Sequence, residues 1–358
     1  MLADGMIEAF RLQAQFCATM GSPLYAELLT RAADDIERGG PVARVLDGWT
    51  GLPVPDAVVL RLMGGVHRLV LDGAVPELAR HFPSAGGEPV WPAAWQAFLH
   101  VVETHAPVLR AALDRHVQTN EVRRSGALLG GFLTVTAAQR LPLCVLEIGS
   151  SAGLNLLWDH YRYEVAQRVG ETIAPPRHVW GDSDAPVLVR IEWEGPLDVF
   201  GATASVVERA GCDVAPVDVA DPAQARRLES FVWPDQLERL TQLRGAIALA
   251  RRMPPPLAQR AAADWLAERL AVARHGTATV VFHSIMWWYL SEEERTRVTE
   301  IISAAGARAT SGAPVAWLRL ELMASREPEV RLTQWPGGED TLLGVADGHG
   351  RYVKWRTP

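Results

Sequence analysis

The most informative stretch of this 358-residue chain is Leu143-Cys-Val-Leu-Glu-Ile-Gly-Ser-Ser-Ala-Gly-Leu-Asn155. Its first six residues are almost continuously apolar, which is typical of a strand buried on both faces. Gly149 and Gly153 then predict a tight turn, because glycine takes positive φ and lets a ligand approach the backbone. Residues 152–159 predict a helix, whose first turn would offer free N–H groups and a partial positive charge. With Glu147 just before the turn, the segment suits a ligand that has an anionic end and a cationic or hydroxyl-rich part.

Downstream of this turn, apolar runs alternate with helical patterns. Strands are expected at residues 187–193, 213–219, 279–283 and 315–322. Asp221-Pro222 marks the start of one intervening helix, and Ser291 with Glu294 forms a capping box at another. This alternation favours a mostly parallel sheet with helices on its faces. The final runs, 330–334, 341–345 and 352–355, are joined by glycine-rich turns and predict antiparallel hairpins that close the sheet edge.

Upstream of residue 141 the pattern is helical. Ile7, Phe10, Ala14 and Cys17 recur at helical spacing, and no strong two-residue alternation is present. The sequence therefore predicts two domains, an all-α N-terminal lid or substrate domain at 1–140 and an α/β domain at 141–358.

Composition excludes several function classes. The chain has 35 basic and 42 acidic residues and a formal net charge of −7, so it lacks a general electrostatic footprint for nucleic acid. The only lysine is Lys354, near the C-terminus, and it does not stand in the Gly-Lys-Ser/Thr step of a phosphate loop, which disfavours phosphate-loop, kinase and Schiff-base chemistry. The three cysteines are far apart and form no Cys-x-x-Cys pair, so neither a disulfide framework nor a zinc knuckle is expected.

Metal, secretion and membrane signals are also weak. His100, Glu103 and His105 do not follow the His-Glu-x-x-His spacing, so no metal site is expected. Residues 1–11 do not look like a secretory signal, and the longest apolar stretch, 126–138, is shorter than the ~20 residues of a membrane span. We expect a cytoplasmic protein that binds a small-molecule substrate and neither nucleic acid nor membrane, and its oligomeric state stays open.

The spacing Glu147-x-Gly149-x-x-x-Gly153 resembles the first motif of class I S-adenosylmethionine-dependent methyltransferases. The resemblance implies a mostly parallel Rossmann-like sheet with an antiparallel C-terminal hairpin, here preceded by the all-α N-terminal domain. It also implies S-adenosylmethionine as cofactor, with the loop around its methionine part and the acid toward its amino end. The dinucleotide fingerprint Gly-x-Gly-x-x-Gly fits less well, because Ser151 stands at its second glycine.

The resemblance further implies a set of site residues and a reaction. The expected cofactor-binding positions on the turn are Glu147, Gly149, Ser150, Ser151, Gly153 and Asn155. Asp213 and Asp218 are candidates for the acid that faces the ribose, and Arg124 could hold the methionine carboxylate bidentately. His283, after a buried run, is the candidate general base. The reaction would be methyl transfer to an unidentified small molecule, driven mainly by proximity and in-line orientation.

The whole chain also resembles a bacterial family known as domain of unknown function 2332. The segments that carry this likeness include Thr119-Asn-Glu-Val-Arg-Arg-Ser, Trp180-Gly-Asp and Val232-Trp-Pro-Asp-Gln. That resemblance implies a shared fold and no catalytic residues.

Two alternatives remain open. Gly149-Ser-Ser151-Ala-Gly153 also has the Gly-x-Ser-x-Gly spacing of a hydrolase nucleophile elbow, with Ser151 as nucleophile. Asp218 or Asp221, followed by His283 or His349, would complete a triad, although such an enzyme needs strands before its nucleophile strand. The other alternative is a metabolite-binding protein without catalysis on the same fold.

Overall fold

The computed structural model describes residues 4–170, 172–175, 178–322 and 327–356. The chain divides into two compact units, residues 1–119 with 220–241 and residues 120–219 with 242–358. Within the described ranges, no helix combines the length and the apolar character that a membrane crossing demands.

The first unit is helical, as the sequence predicts for the N-terminal residues. Its helices are α1 (Met6–Thr19), α2 (Pro23–Glu37), α3 (Pro41–Leu46), α4 (Val58–Leu71), α5 (Pro76–Ala79), α6 (Ala93–Thr104), α7 (Ala106–Leu113) and α9 (Pro222–Ser230). The apolar stripe on α1 buries Phe10, Ala14 and Cys17, which join one core with Leu28 and Leu62. Apolar burial of this kind is the main source of stability for short helices.

The second unit contains all the strands of the described chain and, among the described residues, three α-helices of its own. The helices are α8 (Arg124–Gln139), α11 (Ala262–Arg269) and α12 (Glu292–Ala307), and α10 (Leu237–Arg252) runs into this unit from the first. The strands are β1 (Leu143–Ile148), β2 (Arg162–Val169), β3 (Thr172–Ile173), β4 (His178–Trp180), β5 (Leu188–Glu194), β6 (Val206–Asp213), β7 (Leu257–Gln259), β8 (Ala278–Ser284), β9 (Val315–Leu322), β10 (Pro328–Trp335), β11 (Glu339–Ala346) and β12 (Tyr352–Trp355).

These strands form one mixed, mostly parallel sheet in the order β3-β2-β5-β12-β11-β10-β9-β8-β1-β6-β7, with β4 paired to β2. The five strands from β9 to β7 are mutually parallel. Strands β10, β11 and β12 follow as an antiparallel meander, and β5 and β2 run parallel to β12.

The chain reverses its direction of travel across the sheet between β1 and β8. After β1 the chain first forms β2 to β5, which lie at the far end of the sheet beyond β12. It then places β6 and β7 on one side of β1, and it later places β8 and β9 on the other. In open α/β sheets, ligands bind outside the carboxyl ends of the strands at such a reversal. The loops after Ile148 and Ser284 lie at that position.

Two sequence-based expectations near the turn are wrong. Residues 213–219 do not form a strand, because β6 ends at Asp213 and Pro216, which lacks an N–H, lies in the segment that follows. The helix expected at 152–159 is a 3-10 helix, Leu154–His160, with non-helical angles at Leu157. Strand β6 was missed because its charged residues interrupt the apolar pattern.

The C-terminal strands were predicted correctly but placed wrongly in the sheet. They do not close its edge, because β12 pairs with β5 and the segment from β2 to β5 extends the sheet beyond it. The division into units also differs from a boundary at residue 140. Helix α8 lies upstream of residue 140, yet it belongs to the second unit and packs on β9 and β10.

Candidate functional site

The glycine turn leaves β1 in a conformation that few residues adopt. Gly149 and Gly153 have φ values of 65° and 68°, as expected for glycines at a tight turn. Ser151 between them also has a positive φ, 53°. A non-glycine residue in this region is uncommon and costs free energy, so the surrounding contacts must hold it there.

Most N–H groups of the turn already have acceptors inside the protein. Ser150 N donates to the Cys212 carbonyl at 3.0 Å, and Ser151 N donates to Asp213 Oδ2 at 2.8 Å. Gly153 N donates to the Ser150 carbonyl at 2.7 Å. Leu154 N, at the start of the 3-10 helix, donates to Asn120 Oδ1 at 2.9 Å. The first N–H group of this helix, expected to be free, is therefore already occupied.

Three side-chain oxygens on the same segment lack partners. They are Glu147 Oε2, Ser151 Oγ and Asn155 Oδ1, each buried and without a hydrogen bond to any described residue. Leaving a polar group buried and unpaired costs about 1–3 kcal/mol, so three within nine residues need an explanation. Glu147 is only 2% exposed, and burial, with a smaller contribution from Asp213, raises the pKa of its carboxyl well above the ordinary value.

The two acidic candidates for the ribose are separated by the structure. Asp213, at the end of β6, joins the turn, and besides Ser151 N its carboxylate accepts Ala215 N at 2.9 Å. Asp218 is exposed in the following loop, whose Val217 N reaches the Ser151 carbonyl at 3.0 Å. Asp213 therefore fastens the turn directly.

Ser150 and Asn155 brace the turn from inside. The Ser150 hydroxyl lies 2.9 Å from the Glu147 carbonyl and 3.2 Å from the Cys212 carbonyl, so its proton stays within the fold. Asn155 Nδ2 donates to the Glu121 carbonyl at 3.4 Å, which leaves the amide oxygen as its unpaired end.

Side chains cover the turn from outside. A Cβ placed on Gly149 would lie 2.9 Å from the Met286 side chain, and one on Gly153 would lie 2.9 Å from Leu257 and Pro255. Met286 belongs to the loop that follows β8. This loop is therefore the part of the chain that covers Gly149.

His283, the penultimate residue of β8, forms a buried pair with Glu321 on β9. Its Nδ1 lies 2.6 Å from Glu321 Oε1, and its ring stacks on Trp287 with centroids 5.0 Å apart and planes 14° apart. His283 Nε2 is buried and has no hydrogen-bond partner among the residues described. Sequence reasoning missed Glu321, although an acid near the end of an apolar strand beside β8 was a usable signal.

The strand register places His283 and Glu147 on opposite faces of the sheet. Glu147 pairs with Phe282, and Leu146 pairs with Val281 in the core beside α11 and α12. Because side chains alternate along a strand, His283 shares the face of Val281 and Glu147 shares the other. The two candidates therefore approach each other only around the strand ends.

Arg124 ties the beginning of α8 to that same edge. Its Nε donates to the Gly348 carbonyl at 2.9 Å, and one terminal nitrogen donates to the Ser284 carbonyl at 3.3 Å. The guanidinium is thus positioned beside the end of β8.

The contacts of a hydrolase triad are not formed. Ser151 Oγ makes no hydrogen bond to any residue that the structure describes, and His283 Nδ1 is held by Glu321. Asp221 instead caps α9, accepting Ala223 N at 2.8 Å. In the described ranges, no group of three His, Cys, Asp or Glu residues could hold a metal ion.

A model of a bacterial protein family matches residues 7–355, nearly the full length of the chain. The family is described as an uncharacterized protein conserved in bacteria, DUF2332. Searches of curated proteins and of solved structures give no match.

Proposed function

The chain belongs to this uncharacterized bacterial family, DUF2332, and we propose that its second unit binds S-adenosylmethionine at the glycine turn and transfers the methyl group to a small molecule. The proposal treats the parallel strands from β9 to β7 as a Rossmann-like, class I methyltransferase-like sheet. Their order, with β1 central and the reversal between β1 and β8, supports that reading.

The observation that carries the proposal is the set of three unpaired buried oxygens on one turn. Asn155 Oδ1 is an acceptor, Ser151 Oγ can accept as well as donate, and Glu147 Oε2 is an acceptor once the carboxyl is ionised, which a bound ammonium group would favour. Their complement is a ligand group rich in donors, such as an ammonium or a pair of ribose hydroxyls. S-adenosylmethionine carries both, together with a sulfonium.

Each residue then has a defined task. Glu147 faces the amino group, and Gly149 and Gly153 allow the backbone to approach the methionine part. Asp213 Oδ2 accepts the Ser151 N–H and Oδ1 accepts the Ala215 N–H. Because a carboxylate has about four lone-pair sites, Asp213 can also accept a ribose hydroxyl. Asp218 extends this acidic side toward the nucleoside.

The other side of the site would hold the carboxylate and the acceptor molecule. Arg124, beside the end of β8, would bind the methionine carboxylate. His283 would accept a proton through Nε2, because Glu321 occupies its other nitrogen. Bound cofactor supplies the electrophilic methyl group. Ligand entry requires Met286 to leave Gly149, so the structure corresponds to a closed turn.

Calorimetry with S-adenosylhomocysteine tests the cofactor site, because this demethylated form of the cofactor keeps the amino group and the ribose. We expect the parent protein to bind and Glu147→Gln to bind at least tenfold more weakly, a loss of about 1.4 kcal/mol. Glu293→Gln, an exposed acid on α12, is the matched control and should bind like the parent. Equal binding by both variants, or no binding by the folded parent, would contradict the proposal.

Turnover separates an enzyme from a binding protein on the same fold. The full chain is incubated with methyl-labelled S-adenosylmethionine and a small-molecule extract, and labelled products are separated. Label that moves to an extract component supports catalysis. Binding without transfer, across extracts and with the cofactor bound, would favour the non-catalytic alternative.

A further inference from the structure

We infer that Glu321 is the positioning residue of this site, because one carboxylate fixes the proton on His283 and fastens the loop that covers Gly149. The inference rests on the proposed function. Two of the measurements that test it, histidine NMR and hydrogen exchange, need no ligand. It concerns the loop Ile285–Leu290, called the cover loop below.

Glu321 gathers three donors although it is only 3% exposed. Its Oε1 accepts from Met286 N at 3.0 Å and lies 2.6 Å from His283 Nδ1, and its Oε2 accepts from Trp287 N at 3.3 Å. A buried carboxylate is stabilised by several N–H donors, as here. The same group therefore contacts both the histidine and the cover loop.

The first consequence concerns the histidine ring. Because Oε1 already accepts the Met286 N–H, the carboxylate acts as an acceptor and His283 Nδ1 carries the ring proton. In a neutral ring, Nε2 then keeps its lone pair. Nε2 is also the ring atom without a partner among the described residues, so Glu321 leaves the histidine ready to accept a proton there.

The second consequence concerns the cover loop. Ile285 begins it at φ 50°, a conformation that is costly for a β-branched residue and that persists only where contacts enforce it. Glu321 holds the next two N–H groups, and Arg295 on α12 donates to the Trp287 carbonyl at 2.9 Å and to the Trp288 carbonyl at 3.0 Å. Glu321 thus holds the N–H groups of this strained loop, and Arg295 holds its carbonyl groups.

These contacts link the Met286 side chain, which covers Gly149, to His283, the proposed base. Met286 covers Gly149 through its side chain and meets Glu321 through its N–H. When Met286 moves off the turn, Glu321 Oε1 loses the Met286 N–H, and this is the same oxygen that orients His283. When Met286 returns, both contacts form again, so the closed loop and the oriented histidine occur together.

The test compares the full chain with Glu321→Gln, keeping Glu292→Gln on the exposed face of α12 as control. Nitrogen NMR of labelled histidine reports which nitrogen of His283 carries the proton, and hydrogen exchange reports on the cover loop. A glutamine at this position has one acceptor oxygen instead of two, and its NH₂ group would face at least one of the three N–H donors that the carboxylate now accepts. We expect loss of the Nδ1-protonated form and at least tenfold faster exchange at Met286 and Trp287.

Every result bears on the inference. If Glu321→Gln changes both the His283 nitrogen signal and the hydrogen exchange of the cover loop while the control stays normal, the inference is supported. If only one of the two changes, or neither, Glu321 does not couple the histidine to the loop and the inference is overturned.

If Glu321→Gln does not fold, Met286→Ala decides, because it removes the side chain that covers Gly149 and keeps the N–H contacts to the carboxylate. It should speed S-adenosylhomocysteine association at least tenfold with the His283 signal unchanged, and an unchanged rate or an altered signal would overturn the inference. Failure of the parent to bind that ligand would count against the proposed function, while the two ligand-free readouts would still judge Glu321.

Discussion

The Met286 side chain fills the space beside Gly149 in which a Cβ atom would lie. A Cβ at this glycine would lie 2.9 Å from both Cγ and Cε of Met286 and 3.1 Å from its Cβ. The glycine also has a φ of 65°. Two separate constraints, backbone conformation and contact with the cover loop, therefore keep a side chain out of this position.

Replacing Gly149 by alanine should lower the free energy of unfolding by about 1–3 kcal/mol, because the alanine adds left-handed strain and a steric overlap. Urea unfolding followed by circular dichroism measures the change. Gly348→Ala is the control, since a Cβ there meets nothing within 4 Å and no positive φ is required. Equal stability of the two variants would show that the turn relaxes freely.

Glu147→Gln should stabilise the ligand-free protein at neutral pH and have little effect below pH 4. Burial raises the pKa of the Glu147 carboxyl above its unfolded value near 4.5, so between these two pKa values the acid is protonated in the folded protein and ionised in the unfolded one. Its contribution to stability is thus complete below the unfolded pKa and is lost as pH rises toward the folded one. The loss is up to about 1.4 kcal/mol per pH unit, and glutamine avoids it.

Urea unfolding of the parent and Glu147→Gln at pH 4, 6 and 8 measures this effect. The difference in unfolding free energy should grow with pH in favour of the variant. A variant that is less stable than the parent at pH 8 would mean that Glu147 is held as a carboxylate. If the variant is more stable, as expected, and also binds the ligand more weakly, Glu147 is a buried acid that lowers stability and serves ligand binding.

Local patterns predicted the elements that surround the turn. The run before Gly149 became β1, the glycines took positive φ, and 315–322 and 352–355 were correct to the residue. Such runs are readable because a strand buried on both faces needs consecutive apolar residues. Asp221 and Ser291 were likewise confirmed as helix caps by their hydrogen bonds.

What the sequence could not provide was pairing between distant segments. Nothing local shows that β12 pairs with β5, since that register depends on residues about 160 positions apart. Glu321 was missed for the same reason, because its partners, His283 and the cover loop, lie some 35 positions away. Strand β6 was not predicted because Glu208 and Arg209 interrupt its apolar pattern. Their charges are paired with Arg269 and Asp159, which are distant in the sequence.

Ser151 should not react with a fluorophosphonate probe in the folded protein. Ser151 is 5% exposed, and its buried hydroxyl makes no hydrogen bond to a base within the described residues, so nothing there activates it as a nucleophile. Mass spectrometry of the intact protein, with Ser151→Ala as control, measures labelling. Labelling of the parent and not of the variant would support the hydrolase reading instead.

The three cysteines should resist a thiol reagent until the protein unfolds. All are buried, and burial raises the pKa of the thiols of Cys17 and Cys212 to about 12 and that of Cys144 to about 11. The reactive thiolate is therefore scarce at pH 8. Ellman's reagent should find about three thiols in 6 M guanidinium and none within minutes in buffer. Because the Cys212 carbonyl accepts the Ser150 N–H beneath the glycine turn, selective reaction of Cys212 in buffer would reveal that the turn opens spontaneously, and Cys212→Ser would identify that signal.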